Sequence, residues 1–430
     1  MQQPDGQIGL LPATALVVGN MIGSGIFLLP AALGAYGGIS ILGWVCSSLG
    51  AILLATVFSK LSQLQPGATG GPYAYTREGL GEFPAFLVAW GYWISIWSTN
   101  AAIAVALVGY LGVFFPALLS NNLLAIFTGL GFIWGVSWIN TLSVKTVGWV
   151  QLITTILKVM PILFIGLIGI FYFQVEHFVP FNLSGESNWS AITNTTMLTL
   201  FAYLGMESAT IASGSIAASE QTVSRATLLG TGLTILLYIL SSVAVLGIVP
   251  PDVLQNSTSP FADAAALFWG KSARYIVAGG AVIATMGALN GWILLQGQLP
   301  MAAAKDGLFP KLFGQVNQRK MPVRSILLSS ILVSVLMLLN YTKSLVGAFT
   351  FMMTLSTLSV ITPYIFSTAS LAIFLKKRKD PAASRYLLVA FLAFLFSLWI
   401  IVGCGMEVVF WGFLLLMLGI PFYVGLKTSS

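Results

Sequence analysis

The apolar runs of this chain are longer than a soluble core can use, and they decide what it can become. No charged residue occurs between Arg225 and Asp252, and the stretches Leu229–Val249 and Ile326–Leu339 are almost continuously apolar. A helix needs about 20 such residues to cross the hydrocarbon of a bilayer. A transmembrane barrel would instead show segments of about ten residues that alternate polar and apolar. Within hydrocarbon every backbone amide must be paired internally, and a helix achieves this inside one segment. Only 7% of the 430 residues are charged, against about 25% in a soluble domain. The expected fold class is an all-α integral membrane protein.

The runs divide the chain into about twelve transmembrane helices, over 9–35, 39–62, 85–114, 122–140, 148–173, 192–215, 227–249, 275–302, 325–340, 347–375, 386–402 and 408–425. On these spans fifteen of the nineteen Lys and Arg residues fall on one face, from Lys60 and Arg77 to the run Lys376–Lys379 and Lys427. Three, Lys271, Arg274 and Lys343, fall on the other. The positive-inside rule makes the basic face cytoplasmic, with both termini inside. The net charge of +7 is then a topology signal, not a nucleic-acid footprint. Residues 1–8 are polar and lack a basic cluster, so the first span is expected to serve as the insertion signal. Cys46 and Cys404 lie in apolar runs and read as small core residues. His177 and the sequons at Asn182, Asn188 and Asn194 share one loop, and the sequons read as chance.

Two spans are interrupted. The first holds Gly19-Asn-Met-Ile-Gly-Ser-Gly25 in its middle, and the sixth holds Ala202-Tyr-Leu-Gly-Met-Glu-Ser208. Glycine costs about 1 kcal/mol in a helix interior. Irregular backbone at membrane depth is tolerated only where protein buries it or where it lines a wet cavity. A half-helix starting near Gly25 would offer free amides and a positive dipole end to a carboxylate. A half-helix ending near Leu204 would offer carbonyls to an ammonium, a guanidinium or a metal cation. Breaks at corresponding positions of two halves are the sequence signature of a transporter site.

Two ionisable residues sit inside spans. Glu207 adjoins the second break, and Lys158 lies about ten residues into the fifth span. Intramembrane charges are costly and are functional candidates by default: Glu207 for gating or proton coupling, Lys158 for a cation surrogate or a proton carrier. Tyr92, Trp93, Trp97, Phe201, Trp292 and Tyr364 form an aromatic set. Trp292, between Asn290-Gly291 and Gln296, is placed unlike an interface-belt residue and is suited to holding a cation.

At these residues the chain resembles the amino acid–polyamine–organocation superfamily, and within it the bacterial basic amino acid/polyamine antiporters. Gly23-Ser-Gly-Ile-Phe-Leu-Leu-Pro30, Gly70-Gly-Pro-Tyr-Ala-Tyr75, Gly205-Met-Glu-Ser-Ala209, Ser259-Pro-Phe-Ala-Asp263 and Asp306-Gly-Leu-Phe-Pro310 carry the resemblance. It implies a five-plus-five inverted repeat over 1–173 and 192–375, with two further helices over 386–425 that often serve a homodimer. It implies exchange of an amino acid for its decarboxylated amine, arginine for agmatine, in a bacterial inner membrane. Ser24 and Gly25 match positions that bind the substrate carboxylate, and Ile22 one that holds its amino group. Trp292 matches the stacking residue, and Asn100, Ile103 and Ser356 match side-chain contacts. Ala202 and Leu204 lie in the second break. Glu207, Tyr92 and Tyr364 match gating positions, and Tyr73 one linked to pH sensing. The chain departs from the pattern at Phe201, where the antiporters have a tryptophan, at Ser95 and Ile96 in place of Ala-Cys, and at Lys158. The offset of Lys158 from Gln151 resembles relatives that carry neutral amino acids or are proton-coupled.

A carrier of neutral amino acids, exchanging or proton-coupled, is therefore the second reading. A channel would favour continuous pore helices, and a membrane enzyme would need a metal cluster or nucleophile motif that the sequence does not show. No cofactor is called for. A sensor that binds substrate without flux shares the same sequence expectations.

Overall fold

The computed structural model describes residues 9–428 except 67, 69, 143, 212, 214, 215, 217, 218 and 341; the side chains of 24, 144–153, 155, 156 and 219 also lie outside the described residues. Among the described residues the regular elements are helices. They are α1 Leu10–Met21, α2 Ser24–Gly34, α3 Ser40–Leu64, α4 Pro72–Leu80, α5 Glu82–Leu111, α6 Ala117–Ser120, α7 Asn122–Asn140 and α8 Val144–Gly169. They continue with α9 Asn188–Leu200, α10 Ser208–Ile211, α11 Ser219–Ile248, α12 Pro251–Leu254, α13 Pro260–Trp269, α14 Lys271–Lys305 and α15 Val323–Leu339. The last are α16 Leu345–Arg378, α17 Ala383–Gly403, α18 Met406–Met417 and α19 Gly419–Thr428.

Nine helical stretches among the described residues are long and apolar enough to cross a membrane, and the apolar segments Leu157–Tyr172 and Val323–Leu339 are shorter. The expected span over 122–140 coincides with α7. The expected first span is two helices that meet at Ile22 and Gly23. The expected sixth is α9, a 3₁₀ turn at Phe201–Tyr203 and the short α10. The expected twelfth is α18 followed by α19. Four helices in the connections were not expected, α4, α6, α12 and α13; α4, α12 and α13 begin with proline in their first turn, where its missing N–H costs nothing.

α5 is the axis. Its most apolar window is 94% buried, whereas that of α18–α19 is 11% buried, so one is core and the other periphery. In lipid there is no hydrophobic drive between helices, and close approach of backbones has to supply the packing. Gly50 receives the ring of Phe396, and Gly43 receives Thr195; a Cβ at either would lie within 2.5 Å of those side chains. The outer surface is apolar, with Leu49, Phe127, Leu236, Ile276, Leu339 and Val402 exposed, as a lipid-facing surface requires. Cys46 and Cys404 are both free thiols. His177 meets the Gly247 carbonyl through Nδ1 at 2.8 Å. Of the three sequon asparagines only Asn182 stays in the loop, where it donates to the Glu186 carbonyl. Asn188 and Asn194 stand on α9, because the helix starts earlier than the apolar run, and Asn194 donates to the Glu186 carboxylate.

Candidate functional site

The two interruptions lie against each other. α1 ends where Ile22 turns extended, with ψ 92°, and α2 begins after Gly23 without any capping side chain. Among the described residues its first-turn amides have no capping side chain, and they carry the positive end of the helix dipole. On the other side, Leu204 turns extended and Gly205 takes φ +100°, a conformation that a Cβ would strain. A Cβ at Gly205 would sit 3.1 Å from that of Asn20, and one at Gly25 would sit 3.0 Å from Cα of Ala202. Glycine at both positions is what lets the two breaks touch.

Three consecutive carbonyls at the end of α1 are taken by side chains from distant helices. Lys158 of α8 donates from Nζ to the Gly19 carbonyl. The indole of Trp292, on α14, donates to Asn20 at 3.0 Å, and the phenol of Tyr238, on α11, donates to Met21 at 2.6 Å. Lys158 is fully buried and among the described residues makes no ion pair. Its ammonium is placed at the negative end of the α1 dipole.

A cavity of about 10 Å³, lined by Asn20, Met21, Gly23, Gly25, Thr99, Ile103, Phe201, Leu204 and Trp292, lies between the breaks. That is about the room one water needs. Asn20 borders it with a buried Oδ1 that has no hydrogen-bond partner among the described residues, and Asn100 carries a second such oxygen. An unmet buried acceptor costs about 1–3 kcal/mol, which an incoming N–H donor would relieve.

Of the residues the sequence singled out, Gly25, Ile103, Phe201, Leu204 and Trp292 line this cavity. Ile22, Ile96 and Ala202 are buried without lining it. The Ser24 side chain lies outside the described residues. Ser95 and Ser356 bond each other at 3.0 Å, and Thr99 joins Ser356 at 2.6 Å, so α5 and α16 are tied beside the cavity. Asn100 donates to Gln296 Oε1 at 2.7 Å, and Gln296 donates to Ser330 Oγ at 2.9 Å. Thr99, Asn20 and Tyr238 escaped sequence reasoning. Asn20 lay inside a cluster read for its glycines, and nothing local marked the other two.

Glu207 is fully buried just beyond the second break. Tyr92 of α5 donates to its Oε1 at 2.5 Å, and Tyr364 of α16 donates to Oε2 at 3.3 Å. The expected gating trio is thus one cluster joining three segments. Trp93 belongs elsewhere, in an aromatic group with Trp90, Phe309 and Phe313. Tyr73 is also apart: on α4 it donates to Asp306 Oδ2 at 2.9 Å. Arg77 lies 3.9 Å from Asp306 and 3.4 Å from Glu82. Burial first, and the Asp306 charge second, hold the Tyr73 phenol above its usual range.

The amino acid permease family profile matches residues 8–419. The chain is 33% identical over 425 residues to a putative arginine/ornithine antiporter of Bacillus subtilis, covering 90% of each chain. It is 35% identical to the cadaverine/lysine antiporter of Escherichia coli K12, over 77% of this chain and 74% of the relative. It is 32% identical to the arginine/agmatine antiporter of Chlamydia trachomatis, over 98% and 90%. Among solved structures, a manganese transporter of Eremococcus coleocola aligns with a TM-score of 0.59 at 15% identity, over 99% of this chain and 96% of that one; this likeness concerns the fold alone. The chain belongs to the amino acid permease family.

Proposed function

We propose that this protein is a secondary transporter that exchanges a cationic amino acid for its decarboxylated amine, arginine for agmatine, by alternating access. The observation that carries the proposal is the pairing of opposite polarities on one cavity. The uncapped start of α2 suits a carboxylate, and the unpartnered Oδ1 of Asn20 suits an ammonium or guanidinium. The names of the relatives, arginine/ornithine, cadaverine/lysine and arginine/agmatine antiporters, support the same substrate class. Trp292 borders the cavity and would supply an aromatic face to a side-chain cation.

We read the chain as twelve spans, five plus five and two more, with the basic face and both termini cytoplasmic. α18 and α19, little buried, form the face where we place a homodimer. Glu207, held by Tyr92 and Tyr364, would gate the cavity and exchange a proton. Tyr92 and Tyr364 sit on the two helices that α5 and α16 contribute, so unlocking Glu207 frees both. With only about 10 Å³ open between the breaks, substrate entry requires these walls to part.

A second reading is favoured by one observation. Lys158 occupies the α1 carbonyl end, and none of the cavity-lining residues is acidic, which fits a neutral amino acid. Equilibrium binding of labelled arginine to the purified protein separates the two, with agmatine and alanine as competitors. Displacement by agmatine but not alanine supports the cationic reading, and a Trp292→Leu variant should then bind at least about fivefold more weakly. Displacement by alanine alone moves the assignment to neutral substrates.

A further inference from the structure

Above the closed cavity lies a much larger one. It measures about 550 Å³, and it opens between α2, the second half of α9, the 255–256 turn, the start of α16 and the α17–α18 corner. Lys343, in its wall, belongs to the face that the distribution of Lys and Arg sets opposite the basic one. Along α2, Ala31 and Ala32 of its wall are six and seven residues beyond Gly25, about 10 Å at the helical rise. Phe201, which lines the inner cavity, stands edge-on to Phe349 at 6.0 Å, one residue before Thr350 of the outer wall. The two cavities are therefore stacked, with the Phe201–Phe349 pair between them.

The polar wall of this vestibule is one-sided in charge. Tyr36, Asn194, Gln255 and Asn256 are neutral, Lys343 is cationic, and no Asp or Glu lines it. The Lys343 ammonium sits 4.4 Å from the centroid of the Phe351 ring, itself part of the wall. That contact holds the charge at the mouth instead of letting it swing into solvent. Among the described residues Lys343 makes no ion pair, whereas Arg274, on the same face, is paired with Asp263 at 3.1 Å. One acid stands behind this wall without lining it: the Glu186 carboxylate accepts from Ser190 and from Asn194, itself a wall residue.

We infer that the vestibule is a first capture site for the substrate carboxylate, centred on Lys343, and that it makes the outer face prefer an amino acid to its decarboxylated amine. A cleft with low-dielectric walls focuses the field of one fixed charge. An amino acid presents a carboxylate to Lys343. Its amine lacks that group and is more cationic, so the same lysine attracts the first and repels the second. The inner cavity has no charged side chain in its lining, and only the dipole at the start of α2 tells the two apart there. An exchanger with such a mouth takes in the acid and releases the amine without rebinding it. The inference deepens the proposed exchange function and rests on it for direction, but the carboxylate is common to all amino acids, so the capture step does not depend on which one is carried.

The test is uptake into intact cells expressing the protein, where added substrate meets only the outer face. KM is measured for arginine and for agmatine with wild type, Lys343→Met and Lys343→Arg. Lys343 is exposed, so neither variant should impair folding, and surface expression is checked alongside. The expected result is an arginine KM raised by about three- to tenfold in Lys343→Met, an agmatine KM unchanged or lowered, and near-wild-type values in Lys343→Arg. The difference should shrink as ionic strength rises. An unchanged ratio of the two KM values in Lys343→Met overturns the capture site. If wild type takes up alanine and not arginine, the substrate assignment fails separately, and the Lys343 ratio is read on alanine against ethylamine with the same two outcomes.

Discussion

Removing one phenol oxygen from the Glu207 cluster should have an effect that its neighbour's removal does not. Tyr92 reaches Oε1 at 2.5 Å and Tyr364 reaches Oε2 at 3.3 Å. The first is a short O–H···O contact; the second lies beyond the usual 2.5–3.0 Å range. A buried hydrogen bond to a carboxyl group contributes about 1–3 kcal/mol. Tyr92→Phe should therefore shift the balance between the arrangement seen and an open one by about 5–150-fold, and Tyr364→Phe by less than about fivefold. Turnover and KM of exchange, read together with thermal stability in detergent, measure this. In a Glu207→Ala background both substitutions should lose most of their effect, because the partner is gone. Equal effects of the two tyrosines, or effects that persist without Glu207, would refute the claim that this cluster is the lock.

Gly205→Ala should be strained by about 1–3 kcal/mol, since φ is +100° and the new Cβ meets Asn20 at 3.1 Å; weakened substrate binding with a lowered melting temperature is the expected outcome, and wild-type binding would argue against contact of the breaks. Lys158→Ala removes the ammonium from the Gly19 carbonyl and should abolish transport while the protein still reaches the membrane; full activity would reduce the lysine to a packing role. The raised pKa of Tyr73 keeps its phenol protonated from pH 5 to pH 8, so Tyr73→Phe should alter transport through the lost bond to Asp306; a wild-type profile that titrates with Tyr73 itself in this range would contradict the assignment. Asp380 accepts from Lys60 at 2.8 Å, which lowers its pKa below 3.8. A lowered carboxylate stabilises the fold above its unfolded pKa and loses that contribution as pH falls through the folded one. The melting-temperature gap between wild type and Asp380→Asn should accordingly be present at pH 7 and close on acidification below about pH 4; a gap that persists there would contradict it.

Much of the membrane architecture was legible because its signals are local. The run over 122–140 became α7 without a shift, and the glycine clusters marked both breaks because backbone freedom is written in composition. Glu207 and Lys158 stood out because charge is rare at that depth. The rest depends on contacts across the chain. Lys158, Trp292 and Tyr238 meet α1 carbonyls 139, 272 and 217 positions away, and no periodicity encodes such pairings. The sequence directed attention to the carbonyls of the half-helix ending near Leu204; that the carbonyls at the end of α1 are claimed by protein donors had no local signal. Trp93 was grouped with the site because it neighbours Tyr92, yet one helical step turns it to another face. α4, α6, α12 and α13 were missed because short helices in connections carry no membrane-length signal.

Obligatory exchange is the property that most directly tests the proposed function. Labelled arginine is supplied to proteoliposomes that contain the protein and are preloaded with arginine, agmatine, alanine or buffer alone, at pH 5 and pH 7. Uptake with arginine or agmatine inside, and none with alanine or buffer, is the predicted result. Arginine uptake that is the same whatever is inside, or absent under every load, would contradict it.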